Sequence, residues 1–467
     1  MGFDLLTNPV VVSVVILLVL AMLRLNIVFS IIIAAMTGGL WAGLEKYAAQ
    51  AAERSFYADF QAVGQALEDT LKVFSNGLGN GASIAFNYAM LGAFSIVISR
   101  SGLTELLAGT LMKMVNKQSD SKHVLICKYV LLLILALISI SSQNLIPIHI
   151  AFIPILIPSL LQIFNRFKLD RRMVACILTF GLITPYMFLP FGFGRIYLNE
   201  ILLGNLAQNG VKVAENMVIH AMTIPALGML AGLLIAIFIS YRKPRVYDEQ
   251  KVAELQPQNV EIKPVKIIAG VVAIVVGFAC QIVLDSLFAA SLAAVLVFVV
   301  ARVIHLRDTQ DVFVQGVYLM GGIGIVMIAA QGFAEVMKAT GGVTELVNII
   351  THGLGRNRGL MVFMMLAVGL LITMGIGSSF STVPLIAAIY VPLCVQMGMS
   401  PLATLAVVGA AGALGDAGSP VSESVLGPTA GLNADGQHDH IYDSALPTFL
   451  HFNIPLLIAG WIAGMVL

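Results

Sequence analysis

Apolar positions fall along this chain in long unbroken runs, not in the alternation of strands or the single stripe of a surface helix. In the first half they cover 9–23, 26–44, 81–99, 124–140, 145–163, 173–190 and 217–240. In the second half they cover 267–284, 287–304, 316–336, 360–376, 383–398, 401–415 and 446–467. Several reach or approach the roughly 20 residues that a helix needs to cross a bilayer, so they predict membrane helices. Residues 54–75 are different: mixed polar and apolar positions predict an amphipathic helix lying on the surface. A polar stretch from Tyr241 to Lys266 divides the chain.

The two halves repeat one another. Ser101-Gly102-Leu103-Thr104-Glu105-Leu106 recurs as Gly341-Gly342-Val343-Thr344-Glu345-Leu346, an offset of 240 residues (341 − 101). Ser141 to Pro147 (SSQNLIP) then answers Ser378 to Pro384 (SSFSTVP), and Gly181 to Pro190 answers Gly412 to Pro420. Three landmarks in one order predict an internal repeat, the usual construction of a secondary transporter.

Composition narrows the class. Of 467 residues, 58% are hydrophobic and 11% charged. Soluble domains carry about 25% charged residues, so this chain needs an apolar solvent, and the lipid bilayer is its first partner. A net charge of +1 gives no reason to expect nucleic acid. Cys127, Cys176, Cys280 and Cys394 lie in or beside apolar segments without metal-ligand spacing, and read as small core residues. The run 9–23 has no basic region before it and no small-residue cleavage site after it, so it is expected to stay as a membrane helix.

Basic residues orient the chain, because they gather on the cytoplasmic side. Arg100, Lys113, Lys117, Lys122 and Lys128 precede the Ser141 landmark, and Arg166, Lys168, Arg171 and Arg172 follow it. Both ends of 124–163 are then cytoplasmic, which predicts a re-entrant hairpin with its tip at Ser141 to Asn144. The linker 241–266 is cytoplasmic too, whereas the acid-rich 45–80 suits the outside. The fold class expected is an all-α polytopic membrane protein of two inverted-topology repeats. Each has about five transmembrane helices, a re-entrant hairpin and a broken helix. The first repeat, 1–240, holds hairpin 124–163 and broken helix 173–205. The second, 267–467, holds hairpin 360–398, entering from outside, and broken helix 401–430. Arg356 and Arg358 weigh against that second orientation.

Irregular backbone at membrane depth has to line a cavity, since lipid satisfies no free N–H or C=O. Four irregular places are expected. Two are the hairpin tips, Ser141, Ser142 and Asn144 in one, Ser378, Ser379, Ser381 and Thr382 in the other. Two are helix breaks, Thr184-Pro185 through Gly194, and Gly415 through Pro420. Ser/Thr/Gly clusters also serve plain helix packing; their recurrence at matched positions favours binding. Asp416 is the sharpest candidate, because a carboxylate in an apolar span is expensive and by default holds a cation, here Na+, or a proton. Its rival role is N-cap of a helix beginning near Pro420. Glu423 would lie near the same face, with Ser419 between them. Arg195, in the acid-free first break, either meets a substrate carboxylate or pairs with Glu200. Asn144 suits a cation or a substrate.

Other features carry less. His438-Asp439-His440 lacks further metal ligands, and Gly321-Gly322-Ile323-Gly324 reads as close helix packing. His123 and His149, at the first hairpin, read as core histidines before proton relays. No Walker motif appears, which argues against ATP-driven pumping.

The paired tips and broken helices resemble the ion transporter superfamily. GSSFSTVPLIAAIYVP followed by GALGDAGSPVSESVLGPTAG is similar to the NhaC-like Na+/H+ antiporter branch. The whole chain resembles bacterial permeases of that family, some of them associated with amino acids such as histidine. The resemblance implies a scaffold, a mobile region holding hairpins and broken helices, elevator-like movement, a homodimer and residence in the bacterial cytoplasmic membrane. By position it places Asp416, Ser419 and Glu423 at the cation or proton site. The first tip, Ser-Ser-Gln-Asn, departs from the Ser-Asn-Thr pattern of dicarboxylate carriers. The expected function is secondary transport, most directly Na+/H+ exchange, with a Na+- or H+-coupled amino-acid carrier as the alternative. No enzyme activity and no cofactor beyond Na+ or H+ is expected. A passive channel fits the repeats less well.

Overall fold

The computed structural model describes residues 7–23, 25–50, 56–102, 106, 121–144, 152–191, 193–255, 263–284, 286–342, 345 and 357–467. Among the described residues the regular structure is helical throughout, with no strand. Six helices among the described residues are long and apolar enough to cross a membrane, or seven if one bent pair is counted as a span. The chain is therefore an all-α polytopic membrane protein.

Helices α1 (Pro9–Met22), α2 (Ile27–Gln50) and α3 (Phe56–Arg100) come first. The predicted surface helix over 54–75 is not separate. It runs straight into the apolar span at 81–99 as the 45-residue α3, about 68 Å long at 1.5 Å per residue. No proline interrupts Phe56 to Arg100, so the change from amphipathic to apolar alters the surroundings and leaves the backbone helical.

Helix α4 (Ser121–Asn144) packs on α6 (Arg171–Phe188), while α5 (Phe152–Arg166) packs on a later half-helix and on α3. The connection 145–151 of the first predicted hairpin, with His149, lies outside the described residues, as do 107–120 and 346–356. The expected irregular tip at Ser141 to Asn144 is instead the last helical turn of α4. Ser142 Oγ donates to the Ser139 carbonyl at 2.7 Å, an in-helix bond that lets a hydroxyl residue stay helical.

After α6 the chain breaks and resumes as α7 (Phe193–Gln208), bent by 51°. Next come α8 (Glu215–Ser240) and a short linker helix α9 (Glu249–Leu255). The second half holds α10 (Pro264–Leu284), α11 (Leu287–Val300), α12 (Thr309–Ala339), α13 (Arg358–Ile376), α14 (Ser379–Gln396) and α15 (Pro401–Ala413). It ends with α16 (Glu423–Leu432) and α17 (His440–Val466).

The long helices α3 and α12 lie antiparallel, and small residues set their approach. A Cβ on Gly77 would stand 2.7 Å from Gly332, and one on Gly316 would collide with Ala93. Backbones this close are held by dispersion, the principal attraction left between helices in lipid. Helices α3, α10 and α11 share one apolar cluster built around Phe94, Val97 and Phe298. A larger core joins α1 and α2 to the helices of residues 152–240 and 358–467. Both broken helices lie in this second core.

Candidate functional site

The second break is built from two half-helices end to end. Helix α15 starts at Pro401 behind the N-cap Ser400 and stops at Ala413. Gly415 and Gly418 then take φ of +90° and +83°, and α16 restarts at Glu423. Neither glycine tolerates a side chain. A Cβ on Gly415 would stand 2.8 Å from the Met374 nitrogen, and one on Gly418 would stand 2.7 Å from the Phe449 nitrogen. Asn453 of α17 holds the opened backbone, accepting from Gly415 N–H at 2.9 Å and donating to the Ala417 carbonyl at 2.5 Å. Freed peptide groups at membrane depth need such partners.

Asp416 sits inside this break, 7% exposed. Its Oδ2 accepts from Tyr186 Oη and from Ser379 Oγ, both at 2.7 Å, and those two oxygens are 2.9 Å apart. Its Oδ1 accepts from Ser424 Oγ at 2.8 Å and from Ser422 Oγ. Four hydroxyls from three elements thus converge on one carboxylate: α6, the start of α14, and the start of α16. All four donors are neutral, so they solvate the charge without cancelling it. The N-terminus of α16 adds a favourable dipole. Hydroxyl and carboxylate oxygens are also the donor set a hard cation takes. The cage can therefore hold a proton or a small cation. Among the described residues no group of three or more His, Cys, Asp or Glu could hold a metal.

The N-cap role considered for Asp416 belongs to Ser422, whose Oγ accepts from Ser424 N–H. Ser419 supports the site from outside, donating to the Met374 carbonyl at 2.9 Å. Thr382 bonds back to the Ser378 carbonyl at 2.9 Å. Irregularity at this tip is confined to Gly377, at φ +73°, and the extended Ser378 before α14. Glu423 is half-buried at the first turn of α16, with no bond to the cage. The side chains of Asn144 and Ser381 lie outside the described ones. Ser141 is half-buried at the end of α4.

The first break lies within the predicted Thr184-Pro185 through Gly194 but starts later than its proline. Helix α6 runs through Thr184 and Pro185 to Phe188, and the chain departs from the helix only at Leu189. A proline tolerated in a helix leaves the carbonyl four residues back without its donor, and the shift of the break follows from that local tolerance. Thr184 is buried, and its hydroxyl has no hydrogen-bond partner among the described residues. Arg195 is exposed and takes no part in the Asp416 cage.

Sequence reasoning missed Tyr186, Ser422, Ser424 and Asn453. Tyr186 and Asn453 carried a signal: a phenol or an amide inside an apolar run is costly without a partner, and Asn453 is the one amide within 446–467. Tyr186 also opens an aromatic cluster beside the cage. Its ring lies 5.0 Å from Tyr197 and 5.3 Å from Phe380, and Phe193 adds an edge contact to Phe380 at 6.3 Å.

Three contacts join α6 to the second broken element like rungs. At the top, Tyr186 meets Asp416. In the middle, Thr179 Oγ1 donates to the Ser424 carbonyl at 2.9 Å. At the bottom, the Arg171 guanidinium grips Asp435 with two bonds of 2.6 Å, both side chains fully buried. Arg171 also donates to the Leu432 carbonyl and to Asn165, and its guanidinium lies 4.2 Å from the Tyr247 ring centroid. Burial pushes the Asp435 carboxyl up, but Arg171 and Gln437 outweigh it and hold it below its ordinary value. Beside it, burial pushes His438 down to about 3.

A carboxylate caged at a helix break, inside a bundle of membrane-spanning helices, marks a multi-pass membrane transporter. The chain matches the Na+/H+ antiporter family over residues 177–461, and a second model described as Na+-H+ antiporter family over 8–51 and 62–115. It is 51% identical over 461 residues to an uncharacterized membrane protein of Vibrio parahaemolyticus, covering 98% of this chain and 100% of that one. It is 44% identical over 407 residues to YuiF of Bacillus subtilis, whose name carries the provisional description amino acid transporter. That match covers 86% of this chain and 91% of the relative. Among solved structures, MtrF of Neisseria gonorrhoeae is 16% identical with a TM-score of 0.38, over 86% of this chain and 85% of that one. The chain belongs to the Na+/H+ antiporter family, and is a multi-pass transporter of the bacterial cytoplasmic membrane.

Proposed function

We propose that this transporter is cation-coupled and exchanges Na+ for H+ at Asp416. The observation that carries the reading is the Asp416 cage, an acid satisfied by four neutral hydroxyls and left without a cationic partner among them. Such a site is neutral with a proton or with Na+ bound, and charged only when empty. A charged empty site is costly at membrane depth, which favours movement of the loaded forms. Because the proton and Na+ compete for the same oxygens, each expels the other. An elevator-like movement and a homodimer belong to the same reading.

A second reading is a Na+- or H+-coupled amino-acid carrier. It draws on the relation to YuiF and on the aromatic cluster of Tyr186, Phe193, Tyr197 and Phe380 beside the acid. That cluster offers an apolar wall next to a carboxylate that an ammonium group can approach.

Purified protein in liposomes with an internal pH dye separates the two. Na+ alone drives proton movement under the first reading; under the second, movement waits for a particular amino acid. In either case Asp416→Asn abolishes coupled transport at normal expression. Wild-type exchange by Asp416→Asn would remove Asp416 from the mechanism.

A further inference from the structure

We propose that the buried Arg171–Asp435 pair is a positioning pair for the Asp416 site, setting the register of α6 so that Tyr186 reaches the carboxylate. The inference rests on the Asp416 reading and deepens it. Arg171 and Tyr186 stand on one continuous helix, 15 residues and about 22 Å apart. Asp416 and Asp435 flank the half-helix α16, one before its start and one after its end, on the same side of the ladder. A slide or turn of α6 at its foot is therefore passed to Tyr186 at the cage.

The three rungs are not equivalent. The Thr179 rung is one hydrogen bond to a backbone carbonyl, which restrains distance but little rotation. The Arg171 rung is two-pronged, and two parallel bonds fix orientation as well as distance. The Leu432 carbonyl at 2.9 Å and Asn165 Oδ1 at 3.1 Å complete the grip. A fully buried ion pair is a weak source of net stability against apolar replacements of similar volume, so its effect here lies in geometry. The linker joins the same knot. Arg171 N–H donates to Tyr247 Oη at 3.0 Å, and Arg245 pairs with Asp443 at 2.7 Å.

The test is a double-mutant cycle on the purified full chain, read as thermal stabilisation by rising NaCl against choline chloride. Its members are wild type, Tyr186→Phe, the paired variant Arg171→Met with Asp435→Leu, and all three substitutions together. Replacing both charges at once avoids an orphaned buried ion. Tyr186→Phe is expected to raise the half-saturating Na+ concentration about tenfold, the worth of one hydrogen bond to a charged group. The paired variant raises it as well, and the triple variant goes no higher than Tyr186→Phe alone, because both act through one contact. A paired variant with wild-type half-saturation overturns the proposal, as does a triple variant in which the two factors multiply. If the paired variant does not fold, Arg171→Lys takes its place, keeping the charge and losing the fork; the same non-multiplying shift is required. A wild type whose stability ignores Na+ removes the Asp416 reading and this proposal with it. A responsive wild type with multiplying variants overturns only the positioning role.

Discussion

The two broken helices have matched places in the chain and opposite chemistry. The first, α6 and α7, opens from Leu189 without an acid and contributes a phenol and aromatic rings. The second, α15 and α16, opens at Leu414 to Ser422 around Asp416 and contributes the charge. The first keeps its helix through Pro185, whereas the second needs two glycines in left-handed backbone. Breaks at matched places thus carry unmatched chemistry: the second supplies the carboxylate, and the first supplies a phenol that donates to it.

The largest effect expected from this contrast is on folding. Gly418→Ala forces a side chain onto left-handed backbone against Phe449, and should cost at least about 3 kcal/mol. Gly204→Ala in α7 of the first broken helix, where a Cβ meets nothing within 4 Å and φ is not positive, should cost less. Thermal unfolding of the two purified variants checks the order, and equal losses would erase the backbone difference between the breaks.

Next is the phenol. Tyr186→Phe removes one of four donors to Asp416 and should weaken Na+ or H+ coupling about tenfold while the protein folds normally. Half-saturation in liposomes reads the effect; wild-type coupling would mean that the first break contributes nothing to the site.

A smaller effect lies beyond the ends of the breaks. The second is followed by buried His438, the first by the Asn209-Gly210 turn with no ionisable group. His438 has its folded pKa lowered to about 3 by burial. Below an unfolded value of about 6.5 the unfolded chain binds a proton that the folded chain refuses. Stability from this group is therefore complete above that pH and declines as pH falls toward 3, by up to about 1.4 kcal/mol per unit. His438→Gln should flatten that stretch of the stability curve, and an unchanged slope would assign acid sensitivity elsewhere.

The smallest change is expected at Arg195. It is exposed and apart from the cage, so Arg195→Gln should leave Na+-driven exchange within about twofold of wild type, as surface substitutions usually do. A large loss would restore the first break as a binding partner in its own right.

Two members of the candidate cage were legible before any coordinates. Asp416 and Ser379 stood out as an acid and a hydroxyl at landmarks, and both are in the cage. Ser422 and Ser424 lie within the same motif, but helical spacing counted from Pro420 favours Glu423, and the helix starts three residues later. The predicted break, Thr184-Pro185 through Gly194, begins at the proline because proline ends most helices; the helix continues for another turn and leaves at Leu189.

What the sequence alone determined is everything that depends on solvent and on local backbone. Apolar runs demand lipid, glycines and prolines open helices, and a carboxylate among apolar residues demands a partner. The tertiary structure decided which partners meet. Tyr186 reaches Asp416 across 230 positions, and Arg171 reaches Asp435 across 264. Hydrogen bonds and ion pairs act only over a few ångströms, so packing selects them, and no local pattern in the chain records how α6 comes to lie beside the second break.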